Sequence, residues 1–292
     1  MKEFIEHLKN DKHKAENTLI AYERDIRAFE KYLRDRRAKS LADCAENDAI
    51  AYVMELGTDN KSRATVNRKV SSLRTYYEFK MNRGERDNNP FAKVKSARND
   101  TRHIDVLTIE EVEQLLALPD DSMKGLRDRA LMEFMYGTGA RVTEVVRLVM
   151  GDINLRMGFV TLKDADEESR IVPLGRYASA ALTEYLEKAY PVMLGREPAE
   201  ADYVFVNLRG EVLTRQGIWR ILKEYGSRIG IEDRMSPQIF RDSFAVHILQ
   251  NGGDLKTLQE LMGFDDLSAG IAYLAVTDIH VRDVFRRCHP RA

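Results

Sequence analysis

The sequence predicts a mainly α-helical chain with a small β-sheet confined to its second half, an α+β arrangement in two domains. Three observations carry this. The chain has 292 residues, more than one ordinary hydrophobic core organises. Apolar residues recur at helical spacing through most of it. One stretch, from Asp152 to Leu174, changes to the pattern of short strands.

The first helical region follows from Leu19, Tyr22, Ile26, Phe29 and Leu33, spaced to fall on one helix face. Val66, Val70, Leu73, Tyr76 and Tyr77 define a second such face, and together they predict a small helical bundle over residues 1–84. Residues 85–104 contain Asn88, Asn89 and Pro90 and little periodicity, so they read as a linker. Thr108 followed by Glu111 is a capping-box pattern ahead of Val112, Leu115 and Leu116, and it opens a second domain over residues 105–292. Phe159 to Leu162 and Ile171 to Leu174 predict two short strands flanking a polar turn, after which helical spacing resumes. No internal repeat or low-complexity segment interrupts this order.

Hydrophobic residues at 43% supply real cores, while charged residues at 32% argue against a membrane protein. No run approaches a transmembrane helix, and Met1 to Asn10 lacks the apolar stretch of a secretory signal, so a cytoplasmic location is expected. The two cysteines, Cys44 and Cys288, lie far apart with no metal-ligand spacing, which suits reduced thiols and no metal site. A net charge of -1 hides an asymmetry. Residues 1–100 hold 22 Lys and Arg against 17 Asp and Glu, and the excess concentrates between Lys61 and Arg98. Lys61, Arg63, Arg68, Lys69 and Arg74 could neutralise phosphates there, although a solvated helix face gives the same pattern.

The chemistry-bearing residues come in sequence order. Gly137-Thr-Gly-Ala-Arg141-Val-Thr-Glu144 sets an arginine just after a glycine-rich helix break, where its guanidinium could meet a phosphate beside free backbone N–H groups. Ser236-Pro-Gln-Ile-Phe-Arg241 places a second arginine about one turn into a helix that Pro237 can start. Leu261-Met-Gly-Phe264 and, nine residues on, Tyr273 complete the set. Two planar guanidinium forks suit a phosphate, and a phenol can attack it to form a covalent intermediate. Tyr273 is also readable as a core tyrosine.

With these residues the chain resembles the tyrosine recombinases, specifically their bacterial Xer-type members. The resemblance extends through Gly125-Leu-Arg-Asp-Arg-Ala130, Ile171-Val-Pro-Leu174, Asn251-Gly-Gly-Asp-Leu255 and the terminal His289-Pro-Arg-Ala292. It implies an N-terminal SAM-like core-binding domain and a C-terminal catalytic domain that clamp double-stranded DNA. Arg141 and Arg241 would hold the nonbridging oxygens of the scissile phosphate. Tyr273 would attack phosphorus, giving a 3′-phosphotyrosine and a free 5′-hydroxyl without any cofactor. Lys163 resembles the family lysine that protonates the leaving oxygen, although it precedes an unusually acidic turn, Asp164-Ala-Asp-Glu-Glu168, and is also readable as a surface lysine at a strand end.

Other departures fall on histidines. Gln238 stands where the family carries a general-base histidine, and glutamine holds no proton near neutral pH. Phe264 stands where a histidine or tryptophan donates to the phosphate, and Asp242 stands where Xer-type members carry another histidine. His247 and Trp219 are expected to pack, the latter in a core or an interface. The resemblance also implies that Thr277 to Arg287 forms a helix docking in trans, within a homo- or hetero-oligomeric tetramer on paired half-sites. Two functions follow: a site-specific recombinase, or a DNA-binding homologue with weakened or lost catalysis and an architectural or regulatory role.

Overall fold

The computed structural model describes residues 1–10, 16–59, 61–95, 104–164 and 168–277. The chain divides into two compact units, Met1–Arg102 and His103–Ala292. Among the described residues no helix is long and apolar enough to cross a membrane.

The first unit contains α1 (Lys2–Asn10), α2 (Glu16–Arg37), α3 (Glu46–Thr58) and α4 (Arg63–Asn82). Its core is aromatic. Phe4, Phe29, Tyr77 and Phe91 are fully buried, with Phe29 meeting Phe91 edge to face at 5.2 Å between ring centroids. Phe91 and Val94, which fall in the segment that reads as a linker, thus pack into this core; Asn89 anchors them by accepting from the Phe91 amide and donating to the Arg74 carbonyl. A buried carboxylate ties α2 to α4. Asp25 accepts from Arg68, from Lys69 Nζ at 3.3 Å and from Ser72 Oγ at 3.1 Å, so a fully buried charge is compensated.

The second unit opens with α5 (Ile109–Ala117), closed by both hydrogen bonds of the capping box: Thr108 Oγ1 accepts from the Glu111 amide and Glu111 accepts from the Thr108 amide. Next comes α6 (Met123–Thr138), whose Leu131, Met132, Phe134 and Met135 are all fully buried because the helix is enclosed by its neighbours. Gly139 ends it with a φ of +60°. After the short α7 (Val142–Arg147), three strands form an antiparallel sheet in the order β1 (Ile153–Asn154), β2 (Phe159–Lys163), β3 (Ser169–Pro173). Val160 and Leu162 point into the core while Lys163 faces out, the two-residue period of a half-buried strand. The remaining helices are α8 (Arg176–Lys188), α9 (Tyr190–Leu194), α10 (Arg215–Arg228), α11 (Pro237–Gln250), α12 (Leu255–Met262) and α13 (Ser268–Leu274). The segment Thr277 to Arg287, expected to form a docking helix, lies outside the described residues from 278 onward, as does Cys288.

Trp219 departs from core packing, one of its two expected placements. Ile218 and Leu222 share the buried face of α10, and Trp219, about 100° further round the helix, is 48% exposed with Lys223 Nζ 5.3 Å from its ring centroid.

Candidate active site

Four local structures of the second unit build the site. The first is the break between α6 and α7. The positive φ of Gly139 turns the chain, and a Cβ there would come within 2.5 Å of Phe244, so only glycine fits this turn. Arg141 then caps α7, with its amide donating to Glu144 Oε2 at 2.6 Å.

The second is the end of α12. Gly263 adopts a φ of +60°, which exposes the carbonyls of Met262 and Gly263 in sequence. Arg141 Nη2 donates to the Gly263 carbonyl and Arg241 Nη2 to the Met262 carbonyl, each at 2.6 Å. Arg241 Nη1 also donates to the Gly139 carbonyl. Both predicted arginines therefore converge on one turn. Arg241 is 4% exposed, and burial together with the neighbouring Arg141 charge pulls its guanidinium down to about 10. It stays cationic at neutral pH.

The third is the β2–β3 hairpin, which contributes Arg170. Arg170 Nη1 and Nη2 donate to Glu144 Oε1 and Oε2 at 2.6 and 2.9 Å, and Nε donates to the Leu261 carbonyl at 2.8 Å. Glu144 also accepts from Arg141 Nη1 at 2.9 Å. Burial raises the Glu144 carboxyl, but the hydrogen bonds and charge of Arg170, with those of Arg141, outweigh it and hold the group below its ordinary value. Arg141 and Arg170 line a polar groove of about 220 Å³ with Gly263, Phe264, Asp164 and Glu168. Lys163, at the end of β2, pairs with Asp152 at 2.6 Å. Of the acidic turn, residues 165–167 lie outside the described residues; Asp164 and Glu168 close its base through hydrogen bonds of 3.0 and 3.1 Å.

The fourth is α13, which presents Tyr273. Its ring packs in an apolar cluster with Phe244, Leu258 and Met262, as a core tyrosine would. Its hydroxyl donates to Asp242 Oδ1 at 2.7 Å, the residue next to Arg241. Gln238 Nε2 donates to the same oxygen at 2.9 Å. Phe264 lies between the two reactive groups: its ring stacks on Tyr273 at 6.0 Å, and the Arg241 guanidinium sits 5.5 Å from its centroid. The hydrogen-bond donor absent at this position is replaced by ring contacts. His247 packs as expected, with Nδ1 at 2.8 Å from the Tyr136 hydroxyl.

Gln238 and Tyr273 thus meet on Asp242, Tyr273 and Arg241 flank the Phe264 ring, and Arg141 joins them through the Gly263 carbonyl, next in sequence to the Met262 carbonyl that Arg241 holds. Glu144 and Arg170, which hold Arg141 in place, were not singled out by sequence; the only local signal is Glu144 three residues after the capping Arg141. The five basic residues of the first unit separate into two groups. Lys61 and Arg63 are exposed before and at the start of α4. Arg68 and Lys69 are engaged with Asp25, and Arg74 donates to the carbonyls of Phe91 and Val94 at 3.3 and 2.8 Å.

Known proteins resemble this chain along its whole length. The profile of the phage integrase family matches residues 105–280, and that of the phage integrase N-terminal SAM-like domain matches residues 1–84. The tyrosine recombinase XerD of Listeria innocua is 39% identical over 292 residues, covering 99% of this chain and 98% of that protein. XerD of Staphylococcus epidermidis is 34% identical, covering 100% of this chain and 99% of its own length. Among solved structures, the Tn1549 transposon integrase in complex with transposon right end DNA aligns over 98% of each chain with a TM-score of 0.76 and 19% identity, a likeness of fold. With the family profile matching residues 105–280 and relatives 39% and 34% identical along nearly their whole length, the chain belongs to the phage integrase family as a Xer-type tyrosine recombinase.

Proposed function

We propose that the chain is a site-specific DNA recombinase that cleaves and rejoins strands through a 3′-phosphotyrosine at Tyr273. The observation that supports it most is the convergence of Arg141 and Arg241 on the adjacent Met262 and Gly263 carbonyls, with the Tyr273 hydroxyl on the residue beside Arg241. Those carbonyls occupy guanidinium donors that a phosphate's nonbridging oxygens can take over. Attack by the Tyr273 oxygen forms the O–P bond and expels the 5′-oxygen, which Lys163 protonates. The energy of the broken phosphodiester is kept in the phosphotyrosine, so rejoining needs no cofactor.

The first unit grips the duplex through Lys61 and Arg63 at the start of α4, while Arg68, Lys69 and Arg74 brace that helix. Four copies assemble on paired half-sites, in homo- or hetero-oligomeric form, and the reaction takes place in the cytoplasm. The retained Tyr273 and both arginines favour the catalytic reading over a purely architectural one. Incubating the full chain with a nicked half-site duplex tests it. A covalent protein–DNA adduct is expected in the parent and none in Tyr273→Phe; an adduct that survives Tyr273→Phe overturns the assigned nucleophile.

A further inference from the structure

Strand cleavage by a tyrosine must dispose of one proton. The phenolic hydroxyl is a poor nucleophile while it keeps that proton, and general-base assistance is worth about 10²–10⁴-fold in rate. The histidine expected three residues before Arg241 is Gln238, which holds no proton near neutral pH. The site still contains an acceptor. Tyr273 Oη donates to Asp242 Oδ1 at 2.7 Å, across 31 residues of chain, and both side chains are about 95% buried.

We infer that Asp242 is the proton acceptor for Tyr273, and that Gln238 serves as its positioning residue by donating to the same carboxylate oxygen at 2.9 Å. The inference rests on Tyr273 being the nucleophile. Three features favour it. The acceptor touches the reacting oxygen directly, as general-base catalysis requires. Gln238 and Asp242 are four residues apart on α11, so the helix itself aligns amide and carboxylate on one face. Neighbouring Arg241 anchors the same helix turn to the Gly139 and Met262 carbonyls, which fixes the carboxylate relative to the phosphate clamp.

The step balances. As the Tyr273 oxygen bonds to phosphorus, its acidity rises and the proton passes to Asp242, leaving a neutral carboxylic acid. The bond from phosphorus to the 5′-oxygen breaks, and that oxygen takes a proton from Lys163. Religation runs the same transfers backward: Asp242 returns its proton to the departing phenol.

Asp242→Asn keeps the size and an acceptor oxygen but removes the basic site. On a nicked half-site, the full-length variant is expected to bind DNA as the parent does and to form adduct about 10²–10⁴-fold more slowly. Placing 3,5-difluorotyrosine at position 273 lowers the phenol's pKa and makes the base dispensable. It should therefore raise the Asp242→Asn rate by about tenfold or more while changing the parent only slightly. Asp242→Ser, read the same way, serves if the asparagine variant fails to bind the half-site. Adduct formation at or above the parental rate in these variants overturns the inference, as does a loss that difluorotyrosine leaves unrelieved. A parent that forms adduct alongside an unaffected Asp242→Asn sinks this inference alone; a parent that forms none sinks the phosphotyrosine reading as well.

Discussion

Arg170 and Glu144 meet fork to fork, two parallel N–H···O hydrogen bonds of 2.6 and 2.9 Å joining the edge of the sheet to α7. The Glu144 side chain is fully buried and that of Arg170 is 13% exposed, so the pair is shielded from solvent. Arg141 shares the same carboxylate. Removing Arg170 leaves Glu144 with one guanidinium partner in a dry site. Arg170→Ala is therefore expected to destabilise the second unit by about 3–5 kcal/mol, the usual cost of breaking a buried pair from one side. Calorimetric unfolding of the full chain checks this.

The same carboxylate sets a pH dependence. Glu144 titrates below its ordinary value of 4.5 in the folded chain. Its contribution to stability is fully present above that value and is lost as pH falls through the lower, folded one. Acidification from neutral pH to below about 4 should lower the Tm of the parent more than that of Glu144→Gln, which starts lower and has no such proton to take up. Equal slopes of Tm against pH in the two proteins would contradict this assignment.

In the first unit, the basic residues divide by role. Lys61→Ala with Arg63→Ala should leave the unfolding free energy within about 0.5 kcal/mol of the parent, as exposed substitutions do, while weakening half-site binding and reducing its salt dependence. Arg68→Ala with Lys69→Ala strips the two cationic partners from the buried Asp25 and should lower the Tm sharply. An unchanged salt slope in the first double variant removes Lys61 and Arg63 from the DNA-facing surface.

Gly139→Ala tests the turn under the arginines. The backbone there is left-handed, and the added methyl would meet the Phe244 ring at 2.5 Å. Strain and overpacking together should cost about 2–4 kcal/mol. Adduct formation should fall as well, since the Gly139 carbonyl accepts from Arg241.

Lys163→Ala separates acid from base. Its adduct formation on an ordinary nicked duplex should fall by about 10²–10⁴-fold. A duplex carrying sulfur in place of the leaving 5′-oxygen needs no proton at that atom, and with it Lys163→Ala should match the parent. A deficit that persists with the sulfur substrate removes Lys163 from the general-acid role.

What the sequence made legible was local. Thr108 and Glu111 are three residues apart and cap α5 as their spacing predicts, and the alternation of Val160 and Leu162 marks β2. Arg141, Arg241 and Tyr273 are recognisable because each stands in a short motif. Illegible were contacts that depend on register or on distant segments. Arg170 reaches Glu144 only because the hairpin pairs it with Leu162, and a slip of one residue would turn it outward. Asp25 looks like an ordinary helix-surface acid until α4 is laid against α2. Asp242 likewise looks like a lost histidine, and its bond to Tyr273 exists only once α13 packs on α11.

The turn closing α12 has one more implication. Two guanidinium cations repel each other, and holding them side by side in an empty site costs free energy that strand binding would otherwise have to supply. The successive carbonyls of Met262 and Gly263 act as stand-ins for the two oxygens of a phosphate, spaced by the backbone itself. The gap between the arginines is thus templated by peptide geometry, and a phosphate that took over these donors would have to displace the two carbonyls from them. A lengthened or shortened loop at this one point would detune both arginines at once, which makes the α12 terminus the place where the clamp is least tolerant of insertion or deletion.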